Sequence, residues 1–213
     1  MTYSIKEIYY TLQGEGAQSG RPAVFLRYAG CNLWSGRDQD RARAICNFCD
    51  TEFVGTDGPG GGKFANATDL AAAVRATWPD AVHCKPFVVC TGGEPLLQLD
   101  DAAIEAMHNA GFEIAVETNG TIQAPAGLDW ICVSPKAGVT LKQRTGDELK
   151  LVYPQPQPEA QPDRFTDMAF SHFFLQPMDS VDRQENTLAA VRYCLDHPHW
   201  KLSLQTHKIV GIP

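Results

Sequence analysis

The chain has 213 residues, 44% of them hydrophobic and 20% charged, with a formal net charge of -7. That length and balance suit one domain, residues 1–213, with a core of its own, and the acid excess argues against a phosphate-backbone (nucleic-acid) partner. No apolar run is long enough to span a bilayer, and the opening Met1–Glu7 lacks the basic and apolar stretches of a secretory leader, which points to a cytoplasmic protein.

In chain order, strands are predicted first over Ile8–Tyr10 and Val24–Arg27. Gly55–Lys63, with Gly58-Pro59-Gly60-Gly61-Gly62 inside it, reads as loop. Thr68 then caps a helix with Leu70, Val74 and Trp78 on one face, and Pro79 ends it. After a strand over Phe87–Cys90, Asp100 or Asp101 caps a second helix, with Ala103, Met107 and Ala110 on its apolar face and Gly111 at its end. Strands over Glu113–Glu117, Trp130–Val133 and Glu148–Val152 follow, then a proline-broken stretch, Tyr153–Pro158, which is extended or turning. A strand over Phe173–Leu175, a helix from about Val181 to Asp196 carrying Leu188, Val191 and Leu195, and a strand over Leu202–Gln205 complete the chain.

Strand and helix in alternation predict an α/β fold with a mainly parallel sheet covered by helices. About six such strands are too few for a closed eight-stranded barrel, so an open or partial barrel is expected. Most strands run at their C-terminal ends into polar or glycine-rich residues: Arg27, Thr91-Gly92-Gly93-Glu94-Pro95, Glu117-Thr118-Asn119-Gly120, Ser134-Pro135-Lys136 and Gln176-Pro177-Met178-Asp179. In a parallel barrel those ends converge on one face, where ligands bind.

The seven cysteines are an odd number and do not suggest a disulfide framework. Cys90, Cys132 and Cys194 fall in apolar strands or a helix and read as small core residues. Cys31 precedes Cys46 by fourteen intervening residues, and Cys46 and Cys49 form a close Cys-x2-Cys chelate. Zinc is one reading, with Cys84 or His83 as a fourth ligand. A [4Fe-4S] cube is the other: closed clusters take four thiolates, and three leave one iron open to a small molecule. Thr91-Gly92-Gly93-Glu94-Pro95 favours the cube, because paired glycines at a strand end let backbone approach a ligand and Glu94 or the neighbouring carbonyls can accept from an ammonium group.

At these residues the sequence resembles the radical S-adenosylmethionine (SAM) superfamily, in which three cysteines hold the cluster and a Gly-Gly-Glu-Pro motif meets the amino group of SAM. Most members space the cysteines as Cys-x3-Cys-x2-Cys; here Ser35-Gly36-Arg37-Asp38-Gln39-Asp40-Arg41 lies within the longer first gap. More narrowly, Leu12-Gln13-Gly14-Glu15-Gly16, Phe25–Leu33, Cys49-Asp50-Thr51 and the four strand-end motifs above resemble the 7-carboxy-7-deazaguanine synthase family along most of the chain. The resemblance implies an abridged, partial (βα)6 barrel of the radical SAM type. It also implies conversion of 6-carboxy-5,6,7,8-tetrahydropterin to 7-carboxy-7-deazaguanine and ammonia, in 7-deazapurine and queuosine synthesis.

By the same resemblance, Cys31, Cys46 and Cys49 hold the cluster and Thr51 binds Mg2+. Phe48, Cys49, Asp50, Gly93, Glu94, Ser134, Pro135, Lys136, Gln176, Pro177, Met178 and Asp179 meet SAM. Leu12, Gln13, Gly14, Glu15, Arg27, Thr91 and Pro213 meet the substrate, with His207 close by. Arg27 suits a carboxylate because its planar fork grips two oxygens; Asp50 reads equally as a ribose partner or a helix cap. The family also implies a flavodoxin or ferredoxin as electron donor and a homodimer. Two other functions stay open on sequence: a radical SAM activase that makes a glycyl radical on a partner protein, and a zinc-stabilised binding module.

Overall fold

The computed structural model describes residues 2–213; Met1, the first residue of the segment read for a leader, lies outside them. Nine strands form one sheet: β1 (Tyr3–Leu12), β2 (Pro22–Tyr28), β3 (Gly62–Phe64), β4 (Phe87–Gly92), β5 (Glu113–Thr118), β6 (Trp130–Val133), β7 (Thr145–Tyr153), β8 (Ala169–Pro177) and β9 (Lys201–Leu202). Their order is β3-β1-β2-β4-β5-β6-β7-β8-β9, so the sheet is open rather than a closed barrel. From β2 to β9 every pairing is parallel, whereas β1 runs antiparallel to both β2 and β3.

Among the described residues four α-helices accompany the sheet: α1 (Ala67–Thr77), α2 (Asp101–Asn109), α3 (Arg183–Asp196) and the short α4 (Thr206–Val210). Asn66 rather than Thr68 caps α1, its side chain accepting from the Asp69 amide, a bond worth about 1 kcal/mol. Asp100 caps α2 through the Ala103 amide. Leu70, Val74 and Trp78 are buried as expected. They join Val24, Leu26, Val88, Ile104, Met107 and Ile114 in the main core between helices and sheet.

Several expectations are corrected. Gly62–Phe64, placed at the edge of a glycine loop, pairs with Tyr3–Ile5 as an edge strand. The connections after β5 and β6 contain no helix, so helices cover the sheet only in part. In α3 the buried residue is Ala190, with Tyr193 and Cys194 packed beside it against Leu149, Leu175 and Trp200, while Leu188 and Leu195 are exposed. The last strand is only Lys201–Leu202, since Gln205 already leads into α4. Among the described residues, no helix is long and apolar enough to cross a membrane.

The two faces of the parallel strands carry different chemistry. Val24, Leu26, Val88 and Cys90 pack outward beneath α1 and α2, whereas Ala23, Phe25, Phe87, Val89, Ala115 and Trp130 fill the opposite, inner side. Because side chains alternate at period two, the next inner positions along β2, β4, β5, β7 and β8 are Arg27, Thr91, Glu117, Lys150 and Gln176. The inner face is thus apolar at the N-terminal ends of the strands and polar at the C-terminal ends.

Candidate functional site

Two cavities open at the C-terminal ends of the strands. The first, of about 990 Å³, is lined by Cys31, Cys46, Phe48, Cys49, Gly93, Ser134, Lys136, Gln176, Pro177, Met178 and Asp179, among others. The second, of about 840 Å³, is lined by Leu12, Gln13, Gly14, Arg27, His207, Lys208 and Pro213. Glu15, Asp50, Thr51, Thr91, Glu117 and Gln205 belong to both, so the two spaces share a wall. Most residues expected to meet SAM line the first space and most expected to meet substrate the second, while Glu15, Asp50 and Thr91 stand on the wall between them.

Cys31 follows β2, and the amides of Leu33 and Trp34 donate toward its sulfur, the Leu33 contact spanning 3.4 Å. Such bonds stabilise a thiolate and are one of the levers that tune iron–sulfur clusters. Hydrogen bonding between the side chains of Cys46 and Cys49 lowers the Cys49 thiol to about 6 and raises that of Cys46. The other four cysteines line neither cavity. Among the described residues, no three His, Cys, Asp or Glu side chains converge tightly enough for a single metal ion. Cys31, Cys46 and Cys49 instead line one cavity together.

The glycine pair has a structural reason visible only in three dimensions. Gly92 has φ +131°, and a Cβ there would overlap the Tyr28 carbonyl; one on Gly93 would overlap the Gly30 carbonyl and press on Cys31. The end of β4 thus nests against the segment that presents Cys31, with the Glu94 amide donating to Gly30 O at 3.0 Å. Gly93→Ala is expected to displace Cys31 and to lower cluster occupancy by about 10-fold or more, the scale of an outer-shell defect. Iron and sulfide analysis of anaerobically reconstituted protein checks it, and wild-type occupancy would refute it.

Glu94 lines neither cavity. It is 0% exposed, and its carboxylate accepts from the Leu96 amide (3.0 Å), the Thr118 hydroxyl (2.7 Å) and the Asn119 amide (2.8 Å). Burial raises its pKa while these bonds oppose the rise. The carboxylate braces β4 against β5, and the ammonium contact expected of it is not available from this position. Pro135 is likewise off the wall, between Ser134 and Lys136, which are on it. The Lys136 ammonium donates to Ser134 O (2.6 Å) and Oγ (2.7 Å).

Asp50 caps nothing, because no helix follows it. Its carboxylate accepts from Gln205 Nε2 (3.1 Å) and Lys208 Nζ (2.5 Å), and Lys208 also reaches Asp179 at 2.6 Å. The segment around α4 therefore straps across the mouth between two residues expected to meet SAM. Thr11 Oγ1 donates to Pro213 O at 2.9 Å, which places the chain end against β1 at the second cavity.

Arg27 Nε donates to Glu7 (2.7 Å) and Nη2 to the Tyr9 hydroxyl (2.9 Å). The ion pair is real but half-buried in the cavity wall, and among the described residues Nη1 has no acceptor. Gln13 is committed internally: Nε2 donates to Glu117 Oε1 (3.2 Å) and Oε1 accepts from the Glu15 amide (3.1 Å).

Sequence reasoning missed the charged centre of the site. Lys150, 3% exposed, donates to both Glu117 oxygens (3.0 and 2.8 Å) and pairs with Glu15 at 2.8 Å. Burial alone would discharge this lysine, but Cys132, Glu117, Glu15 and Glu148 surround it and keep its pKa well above the usual value. Burial also opposes the charge on Glu15, yet Lys150 and the amide donors hold its carboxyl below the usual range. Glu148 and Lys150, alternating with Leu149 and Leu151 in the second half of β7, were the available signal.

No protein-family model matches the chain. Across 213 residues it is 65% identical to a 7-carboxy-7-deazaguanine synthase of Caulobacter vibrioides and 61% identical to one of Bordetella pertussis, with 100% of both chains covered in each pair. Its fold is similar to the crystal structure of QueE from Escherichia coli, with a TM-score of 0.72 and 26% identity over 97% of this chain and 95% of that one.

Proposed function

The chain belongs to the 7-carboxy-7-deazaguanine synthase family of radical SAM lyases, and on that premise we propose that it acts, as one domain, on 6-carboxy-5,6,7,8-tetrahydropterin. The products are 7-carboxy-7-deazaguanine and ammonia, by hydrogen abstraction at carbon 6 and ring contraction. The observation that carries this is the pair of adjoining cavities, one with three thiols and no fourth, the other with a half-free guanidinium. Neither the glycyl-radical activase nor the zinc module finds support in the relatives named above.

When bound, the cluster supplies the electron that splits SAM into methionine and the 5′-deoxyadenosyl radical that takes the hydrogen. Cys31, Cys46 and Cys49 would hold it. The Gly93 backbone, Lys136 and the Phe48–Asp50 and Gln176–Asp179 segments would bind SAM, with Lys136 suited to its carboxylate and Asp50 or Asp179 to ribose hydroxyls. Thr51, on the shared wall, would offer its hydroxyl to Mg2+, an ion that commonly keeps waters and takes substrate oxygens. The flavodoxin or ferredoxin donor and the homodimer rest on the family resemblance alone. A cytoplasmic setting is supported by seven cysteines, all unpaired.

In the second cavity Arg27, already oriented by Glu7 and Tyr9, presents Nη1 to the pterin carboxylate. Leu12, Gln13, Gly14, Glu15, Thr91 and Pro213 line the same space, and the carboxylates of Glu15 and Glu117 can accept from the pterin N–H groups. Arg27→Lys keeps the charge but loses the fork, and should raise KM for the carboxypterin by about 10- to 100-fold while cluster content stays unchanged. Steady-state kinetics under anaerobic conditions measures this; an unaltered KM would move the carboxylate site elsewhere. The function itself is tested by mass spectrometry of products from reconstituted, reduced protein given SAM, Mg2+ and the carboxypterin. Absence of any deazaguanine from cluster-loaded enzyme would overturn it.

A further inference from the structure

The fourteen residues between Cys31 and Cys46 form a closed loop rather than a loose excursion. Its two ends meet at the Leu33 carbonyl, which accepts from the Ile45 amide (3.1 Å) and the Cys46 amide (3.4 Å). Within it a 3-10 helix, Asp38–Arg43, carries Arg41 back toward the cysteines. Arg41 Nη1 donates to the carbonyls of Asn47 (3.1 Å) and Cys49 (3.0 Å). Asp38 Oδ1 receives Nε and Nη2 of the same fork, at 3.2 and 3.1 Å, and so sets its orientation.

The guanidinium also lies 4.0 Å above the ring of Trp34. Trp34 is buried on the wall of the first cavity, edge-on to Phe53, and its Nε1 donates to Arg37 O at 3.2 Å. One side chain thus fastens the Cys46–Cys49 turn by two carbonyls and presses an aromatic ring into the cavity wall. A four-residue turn has few internal bonds of its own, and its carbonyls must point away from the sulfur atoms if amides are to face them.

We infer that Arg41 is a positioning residue for the cluster: its fork holds the carbonyls of Asn47 and Cys49 so that Cys46 and Cys49 stay at the spacing and orientation an open-cornered cube requires. This rests on the cysteine ligands proposed above. A lysine could neutralise charge at the same place, but it cannot serve two carbonyls, Asp38 and a ring face together.

The test compares wild type, Arg41→Ala and Arg41→Lys after anaerobic reconstitution. The readouts are the rate of iron loss to a chelator and the electron paramagnetic resonance spectrum of the reduced cluster with and without SAM. Iron loss is expected to quicken about 10-fold or more in Arg41→Ala, as for other outer-shell partners of metal ligands. The change in the spectrum on adding SAM should weaken, and Arg41→Lys should recover neither property. Wild-type iron retention and an unaltered SAM-dependent spectrum in either variant would overturn the inference, and the lysine variant decides it if the alanine variant does not fold. A wild-type protein that assembles no cluster would instead overturn the ligand assignment itself, and the inference with it.

Discussion

Cys49→Ala abolishes cluster binding and product formation while leaving the fold intact. Cys49 sits half-buried outside any strand or helix, and its tie to Arg41 runs through its backbone carbonyl, which alanine keeps, so removing its side chain costs little packing. Its loss nevertheless takes one of three anchors from a cube that has no protein fourth, and two thiolates cannot hold what three hold with one corner already open. Cys46→Ala and Cys31→Ala should behave alike. Cys90→Ala is the matched control: that side chain is buried on the outer face of β4, away from both cavities, and the variant should keep its iron. Iron and sulfide content, visible absorbance and product yield, measured together, check the set. A Cys49→Ala protein with full iron content would end the assignment.

Lys150→Met is expected to be the most destabilising change in the site. It leaves Glu15 and Glu117 facing each other without their cation, with Glu148 close behind. Removing one partner of a buried ionic cluster costs about 3–5 kcal/mol, which for a chain of this size lowers the melting temperature by roughly 10 °C. Glu15 is held below the ordinary carboxylate range in the wild type. Its contribution is therefore present above the unfolded-state pKa and is lost as pH falls through the folded one. In the variant the same carboxyl is pushed upward, so protonation relieves the defect. The stability gap between wild type and Lys150→Met should accordingly be widest near pH 8 and shrink toward pH 5. Thermal melts across that range test both sign and size, and a gap independent of pH would mean the cluster is not held by charge.

Much of the architecture was legible because it is written locally. The strand ends that line the cavities, Arg27, Thr91, Ser134 and Gln176, follow apolar runs whose length and bounding glycines mark them as parallel strands. The three cysteines and the glycine pair were legible as motifs. What was not legible depends on contacts far apart in sequence. The pairing of Gly62–Phe64 with β1 is settled by packing against Tyr3–Ile5, which no local pattern reports. In α3 two apolar stripes compete, Leu188-Val191-Leu195 and Ala190-Tyr193-Cys194, and the sheet beneath accepts the smaller one. Glu94 was misread for a related reason. The motif is matched residue for residue, but the turn made by Gly92 and Gly93 aims its carboxylate into the protein instead of the cavity. Lys150 was visible in principle, since Glu148 and Lys150 alternate with Leu149 and Leu151 in the second half of β7.

The wall shared by the two cavities has a thermodynamic consequence. Asp50, Thr51, Thr91 and Glu117 face both spaces, so a molecule in either one resets the surroundings of its neighbour. By linkage, whatever affinity the pterin adds to or takes from SAM, SAM must return to the pterin by the same factor. Occupancy of the two chambers is therefore a joint property, and titrating either ligand alone measures only one edge of a four-state square.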